Sequence, residues 1–252
     1  MDLILTFFLG FIRISCIIYF LPLFGSYNVP WQVKMGLSFF ITLIVFPFIQ
    51  HQRITGNIWI LALNICHELT IGLTLAFIVH FVFDGIRLAG QFVGYQMGFA
   101  IVNVIDPYSS NQISITSQFK QLLALLVFLG IGAHHFLITA IVKSFEQISL
   151  GNAVFTGKLM ENLIHISGAM FSVALKIAAP ILVTLIFTNV ALSIIAKTMP
   201  QINVFIVGFP LEIGIGLLIF AVSIPFFVFC LKQSFHQMAY DLFSSLRLLG
   251  GH

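Results

Sequence analysis

Charge is scarce in this sequence: 11 Lys and Arg and 8 Asp and Glu make up 8% of 252 residues, where a soluble domain carries about 25%. With 60% hydrophobic residues and a mean hydropathy of +1.10, that scarcity excludes a water-soluble globular protein. The formal net charge of +3 is spread thinly, with no basic block to hold nucleic acid, so no nucleic-acid partner is expected. Cysteine is scarce too. Cys16, Cys66 and Cys230 stand alone in apolar runs, without the spacing of a metal site or redox motif, and read as buried apolar side chains.

Catalytic patterns are also missing. His67-Glu68 opens the zinc-protease pattern His-Glu-x-x-His, but Ile71 stands where the second His is needed on the same helical face. Gly36-Leu37-Ser38-Phe39 lacks the second Gly of a nucleophile elbow, and no Gly-rich loop precedes a phosphate-binding Lys. The adjacent pair His134-His135 points its rings about 100° apart on a helix and has no third ligand, so it reads as helix-end packing. Neither an enzyme, a cofactor nor a metal site is expected.

What the sequence has is apolar length. At roughly 20 residues per span it has room for about six to eight membrane helices, and the fold class is an all-α polytopic membrane protein with helices and hairpins broken by Pro and Gly. Residues 1–252 read as a single integral membrane domain. The N-terminus enters an apolar run without a basic leader, so this run is expected to remain as a helix. Residues 3–23 make the first helix, residues 33–49 a shorter second closed by Pro47, and residues 58–83 a third. Residues 84–105 form a distinct segment in which Gly90, Gly94 and Gly98 recur every four positions and line one ridge that another backbone can approach closely. Packing within the chain and packing on another subunit are both open.

Residues 106–118 are a polar loop of Ser, Asn, Gln and Thr. Residues 121–142 read as one helix, and the mixed stretch 143–162 as a boundary between two structural halves. The apolar run 163–196 contains Pro180, which leaves one kinked helix and two short ones open. Met199-Pro200-Gln201-Ile202-Asn203 and Pro210 interrupt the apolar character again, residues 211–230 form the last hydrophobic helix with Pro225 inside it, and residues 231–249 suit an amphipathic helix at an interface or against a partner. The loop charges give no consistent orientation.

Ionisable and amide groups inside apolar segments are costly unless partnered. Arg13 lies roughly 15 Å along the first helix and must reach a carboxylate, a carbonyl or water; it reads as structurally paired, with contact to a transported species as the alternative. Asn64, His67 and Glu68 share one helical face and read as a polar patch bonded to neighbouring helices, with a proton relay as the alternative. Gln91, Gln96 and Asn103 on the glycine-ridge segment argue against lipid exposure there. Lys197, Gln201, Asn203 and Glu212 complete the set of buried polar and charged candidates.

Arg13, Pro22-Leu23-Phe24-Gly25 with Val29-Pro30, Ala89-Gly90-Gln91-Phe92-Val93-Gly94-Tyr95-Gln96-Met97-Gly98, Asp106-Pro107, Gly132-Ala133-His134-His135 and Met199-Pro200-Gln201-Ile202-Asn203-Val204-Phe205 together resemble the FliR family, flagellar members of the type III secretion export gate. The likeness runs from about residue 8 to residue 230. Lys197 replaces the family's usual Arg, which removes a planar two-pronged contact, and Ser149 stands where a Pro is common. Gly132-Ala133-His134-His135 and the Gln-rich glycine ridge favour the flagellar branch over the virulence injectisome.

The resemblance implies a subunit of the bacterial inner membrane and flagellar basal body, assembled with FliP, FliQ and FlhB into a gate for unfolded flagellar proteins. It implies a FliP-like part over about residues 1–145, a FliQ-like helical hairpin over about residues 160–252, and helices raised out of the ordinary bilayer plane. It also makes Asp106-Pro107-Tyr108-Ser109-Ser110-Asn111-Gln112-Ile113-Ser114-Ile115-Thr116 part of a pore plug. The competing reading is an ion-coupled secondary transporter acting alone through Glu68 or Glu212.

Overall fold

The computed structural model describes residues 2–22, 29–49, 58–99, 114–199, 201 and 204–251. Among these, every regular element is a helix: α1 (Asp2–Phe20), α2 (Trp31–Val45) with a 3₁₀ turn at Phe46–Phe48, α3 (Ile58–Gln96), α4 (Ile115–Gly130), α5 (Ala133–Gln147), α6 (Gly157–Thr198), α7 (Val204–Val222) and α8 (Ile224–Leu249). The all-α membrane fold is thus confirmed. By length and composition four helices suffice to cross a membrane, or six if each bent pair, α4 with α5 and α7 with α8, is one span.

The span count falls short of the expected upper figure because one helix runs on where a break was expected and another where a break was left open. Asp84 does not end the third helix. It pairs with Arg87 one turn later at 2.6 Å, so the charges are satisfied within a continuous 39-residue α3. Pro180 lies inside the single 42-residue α6. At 1.5 Å per residue α3 and α6 are about 58 and 63 Å long, twice a hydrocarbon core of about 30 Å.

Other breaks fall elsewhere than expected. The segment read as one helix over 121–142 is divided at Gly130–Gly132, where Gly132 takes φ +71° and its carbonyl accepts from His135 N–H to start α5. Pro210 sits within α7, not at a break. Pro225 is the second residue of α8, where its missing N–H has no helical partner to lose, so it begins the helix that sequence reading ran through it. Thr156 caps α6, its hydroxyl accepting from Leu159 N–H at 3.4 Å.

The contacts group the chain into two compact units that interleave along the sequence: residues 1–82, 129–168 and 235–252 form one, and residues 83–128 and 169–234 the other. In the first unit α1 and α2 pack through Phe7, Phe11 and Phe39 edge to face. A Cβ on Gly72 would lie 2.8 Å from Cys16 Cβ and 2.9 Å from the Arg13 carbonyl, so α1 crosses α3 closely there. Phe235, Met238, Leu242, Leu246 and Leu249 are buried along one stripe of α8, which also bonds Leu249 O to Val154 N–H and Ser245 Oγ to the Asn162 amide. The amphipathic tail therefore spends its apolar face on its own chain.

Candidate functional site

A buried polar cluster of the first unit lies where α1, α3 and α5 meet. Arg13 and Glu68 are both fully buried. The guanidinium grips the carboxylate with two prongs, Nε to Oε2 at 2.5 Å and Nη2 to Oε1 at 3.1 Å. Its remaining N–H groups donate to the Ser144 carbonyl at 2.8 Å, the Ser144 hydroxyl at 3.3 Å and the Ile148 carbonyl at 3.4 Å. All five guanidinium donors thus have acceptors. The carbonyls belong to the end of α5, where the helix dipole favours a cation; the Ser144 oxygen also accepts the Ile148 N–H at 3.1 Å, and the Ile148 oxygen lies just past the last helical residue. The Phe145 ring lies 4.3 Å beneath the guanidinium carbon.

The same face of α3 holds the loop after α5. Gly151 N–H donates to Glu68 Oε1 at 3.0 Å, and the Gly151 carbonyl lies 2.6 Å from His67 Nδ1. A carbonyl only accepts, so Nδ1 carries the proton. Gly151 has φ +74°, and a Cβ there would collide with the Asn64 amide. Asn64, His67 and Glu68 are brought together with Arg13 on one backbone loop, and the two charges neutralise each other. This arrangement holds three helices in register. It leaves Glu68 no free oxygen for a transported ion.

In the second unit the glycine ridge packs on its own chain. A Cβ on Gly90 would overlap the Ser117 backbone, and one on Gly94 would overlap Ser114 and come within 2.8 Å of Thr116 Oγ1. The close approach lets α4 bond to the α3 backbone: Thr116 Oγ1 donates to the Gly90 carbonyl at 2.8 Å and Ser117 Oγ to the Arg87 carbonyl at 2.7 Å. Gly98 departs from the expected ridge. It lies beyond the end of α3 with φ +81°, facing Phe209 and Glu212 of α7. A left-handed cap at this place favours glycine.

Of the expected plug, Asp106, Pro107, Tyr108, Ser109, Ser110, Asn111, Gln112 and Ile113 lie outside the described residues, as do Asn103 and Asn203. Ser114, Ile115 and Thr116 are described, and form the start of α4 clamped on Gly90 and Gly94. Glu212 is half-buried and Gln201 exposed. Lys197, expected to be buried, is exposed as well; with Gln96, Asn189 and Ser193 it lines an open surface hollow of about 470 Å³. His134 and His135 stand at the start of α5 with ring centroids 4.2 Å apart. Cys16 is buried as expected, whereas Cys66 is exposed on this chain and Cys230 half-exposed.

Comparison with known proteins places this geometry. Residues 4–238 match the family described as Bacterial export proteins, family 1. The chain is 35% identical over 255 residues to the flagellar biosynthetic protein FliR of Bacillus subtilis (strain 168), a likeness covering 99% of this chain and 97% of the relative. It is 28% identical to the protein of the same name in Escherichia coli (strain K12), over 96% of this chain and 94% of the relative. The Aquifex aeolicus (strain VF5) protein of that name is also 28% identical, over 94% and 92%. The chain belongs to the FliR family of bacterial export proteins.

Three features of this FliR-family chain were not singled out from sequence. Ser144 and Gly151 complete the Arg13–Glu68 core, yet as a Ser in a helix and a Gly in a loop they carry no local mark of that role. Lys120 is 2% exposed, and its ammonium makes no hydrogen bond among the described residues; it lies 5.5 Å from the Phe220 ring centre and 5.8 Å from that of Phe227. Its signal was available, since Lys120 is the sole charged residue between Asp106 and Lys143.

Proposed function

We propose that this chain is a membrane subunit of the flagellar type III protein export gate, forming with FliP and FliQ, and alongside FlhB, the gated pore through which unfolded flagellar proteins leave the cytoplasm across the inner membrane. The observation that carries the reading is the family match over residues 4–238, joined to near full-length likeness to flagellar biosynthetic proteins. Family membership makes the chain a membrane-embedded component of the flagellar export apparatus. The finer reading, a pore shared with named partners, draws support from helices too long for a simple bilayer bundle and from exposed apolar side chains on most helices.

The action is gated passage without chemistry on the substrate. The segment from Asp106 to Thr116 acts as the plug, and its C-terminal end is anchored where Thr116 and Ser117 bond to α3. A clamped end and a polar body suit a segment that moves aside and returns. Against the solitary-transporter reading, Glu68 is committed to Arg13 and Gly151, and Pro180 and Pro210 lie inside continuous helices, which leaves that reading only the half-buried Glu212.

The reading is tested by purifying tagged chain from its native membrane in mild detergent and identifying co-purifying proteins by mass spectrometry. FliP and FliQ in fixed ratio to this chain are the expected result. A clean monomer or homodimer that takes up solute by itself in liposomes would overturn it.

A further inference from the structure

The C-terminal half of α6 carries a pattern that no described residue of this chain completes. Asn189, Ser193 and Lys197 recur every four residues, forming a stripe along one face, and Ile186, Val190 and Ile194 form an apolar stripe beside it. Gln96, at the end of α3, joins them in lining an open hollow of about 470 Å³. Ser193 Oγ donates to the Asn189 carbonyl within the helix. The Asn189, Gln96 and Lys197 side chains have no hydrogen-bond or ion-pair partner among the described residues. Ile186, Val190 and Ile194 are all at least half exposed.

Amide and ammonium groups on a membrane helix are costly while unpartnered, so this face demands a complement. Charge gives its sign: no Asp or Glu occurs between Glu161 and Glu212, while Lys176 and Lys197 both do. Length gives its form. The polar groups span eight residues, about 12 Å along the axis. A phospholipid offers polar atoms at its headgroup end only, whereas a helix can present them along its whole length. A second copy docked by two-fold symmetry on this face would set Lys197 against its own equivalent.

We propose that this face of α6 docks a membrane helix of another subunit, one carrying an Asp or Glu opposite Lys197 and hydrogen-bonding side chains opposite Asn189 and Ser193. The inference rests on the export-gate reading and names the chemistry of one contact within it.

The test places a photoreactive benzoyl-phenylalanine at Val190 in the full chain, irradiates native membranes, and maps the adduct by mass spectrometry in Lys197, Lys197→Arg and Lys197→Glu backgrounds. The expected adduct is on a transmembrane helix of a different subunit, within about one turn of an Asp or Glu. It should persist with Lys197→Arg, fall at least tenfold with Lys197→Glu, and return when the partner's acid is changed to Lys. An adduct with phospholipid alone, one with a second copy of this chain, or one indifferent to Lys197→Glu would overturn the inference. Co-purification of the other gate subunits in the same membranes separates its failure from failure of the gate reading. If they co-purify and the adduct is lipid, only the docking surface is wrong.

Discussion

Arg13 and Glu68 set the residue-scale account. Burying two charges is repaid only by close geometry and full hydrogen bonding, and removing one partner leaves the other charge buried and unpaired, at a cost of about 3–5 kcal/mol. Arg13→Met or Glu68→Leu is therefore expected to destabilise the chain by that amount, while the double substitution recovers much of the loss. Thermal unfolding of the assembly in detergent, run as a double-mutant cycle, checks this; additive losses would contradict the pairing. Lys120 has the opposite expectation. Its amine is buried against two rings with no hydrogen bond among the described residues, so Lys120→Met should leave stability unchanged or raise it by about 1–3 kcal/mol, the cost of an uncompensated polar group. A lower melting temperature would show that the amine has a partner. Both members of the central pair were legible as embedded charges. Their pairing across 55 residues was not, since neither spacing nor composition says which helices cross at Gly72.

At the scale of elements, the glycine ridge shows what a four-residue repeat can and cannot tell. The repeat marked a face open to close approach, and Gly90 and Gly94 fulfil it against α4. Gly98 continues the spacing but serves as a left-handed cap, because α3 ends at Gln96. Proline and glycine signals were visible in the sequence, but their consequences depend on position within the helix. Pro180 and Pro210 are absorbed by long helices, Pro225 starts one, and Gly130 and Gly132 flank a break hidden in an apolar run. The ridge supports a prediction. A Cβ on Gly90 would overlap the Ser117 backbone, which is not free to yield as a flexible side chain is. Gly90→Val should cost about 1–3 kcal/mol of overpacking and shift the start of α4, loosening the anchor of the proposed plug. Gly36→Ala, where a Cβ meets nothing, should do neither. Ion leak through membranes that hold the assembled gate checks both; equal leak from the two variants would sever the ridge from the plug.

On the scale of the whole molecule, composition was enough to establish an all-α membrane protein, and recurring short motifs were enough to indicate the family that the full-length comparisons then showed. Topology was not legible. Hydropathy windows count apolar stretches, whereas α3 and α6 each run for about twice the thickness of a hydrocarbon core, so one helix does not equal one span. The apolar surface left on α2, α4, α6 and α7 suits a subunit whose neighbours complete its folding environment. A pore held shut by a plug makes the most direct demand on the account. The decisive measurement is solute leak from liposomes containing the purified multi-subunit assembly, with wild-type chain and with residues 109–113 deleted, a deletion that spares the Ser114–Thr116 anchor. The account predicts sealed liposomes with wild-type chain and at least tenfold faster leak after the deletion, at equal subunit content. Equal tightness of the two assemblies would contradict it.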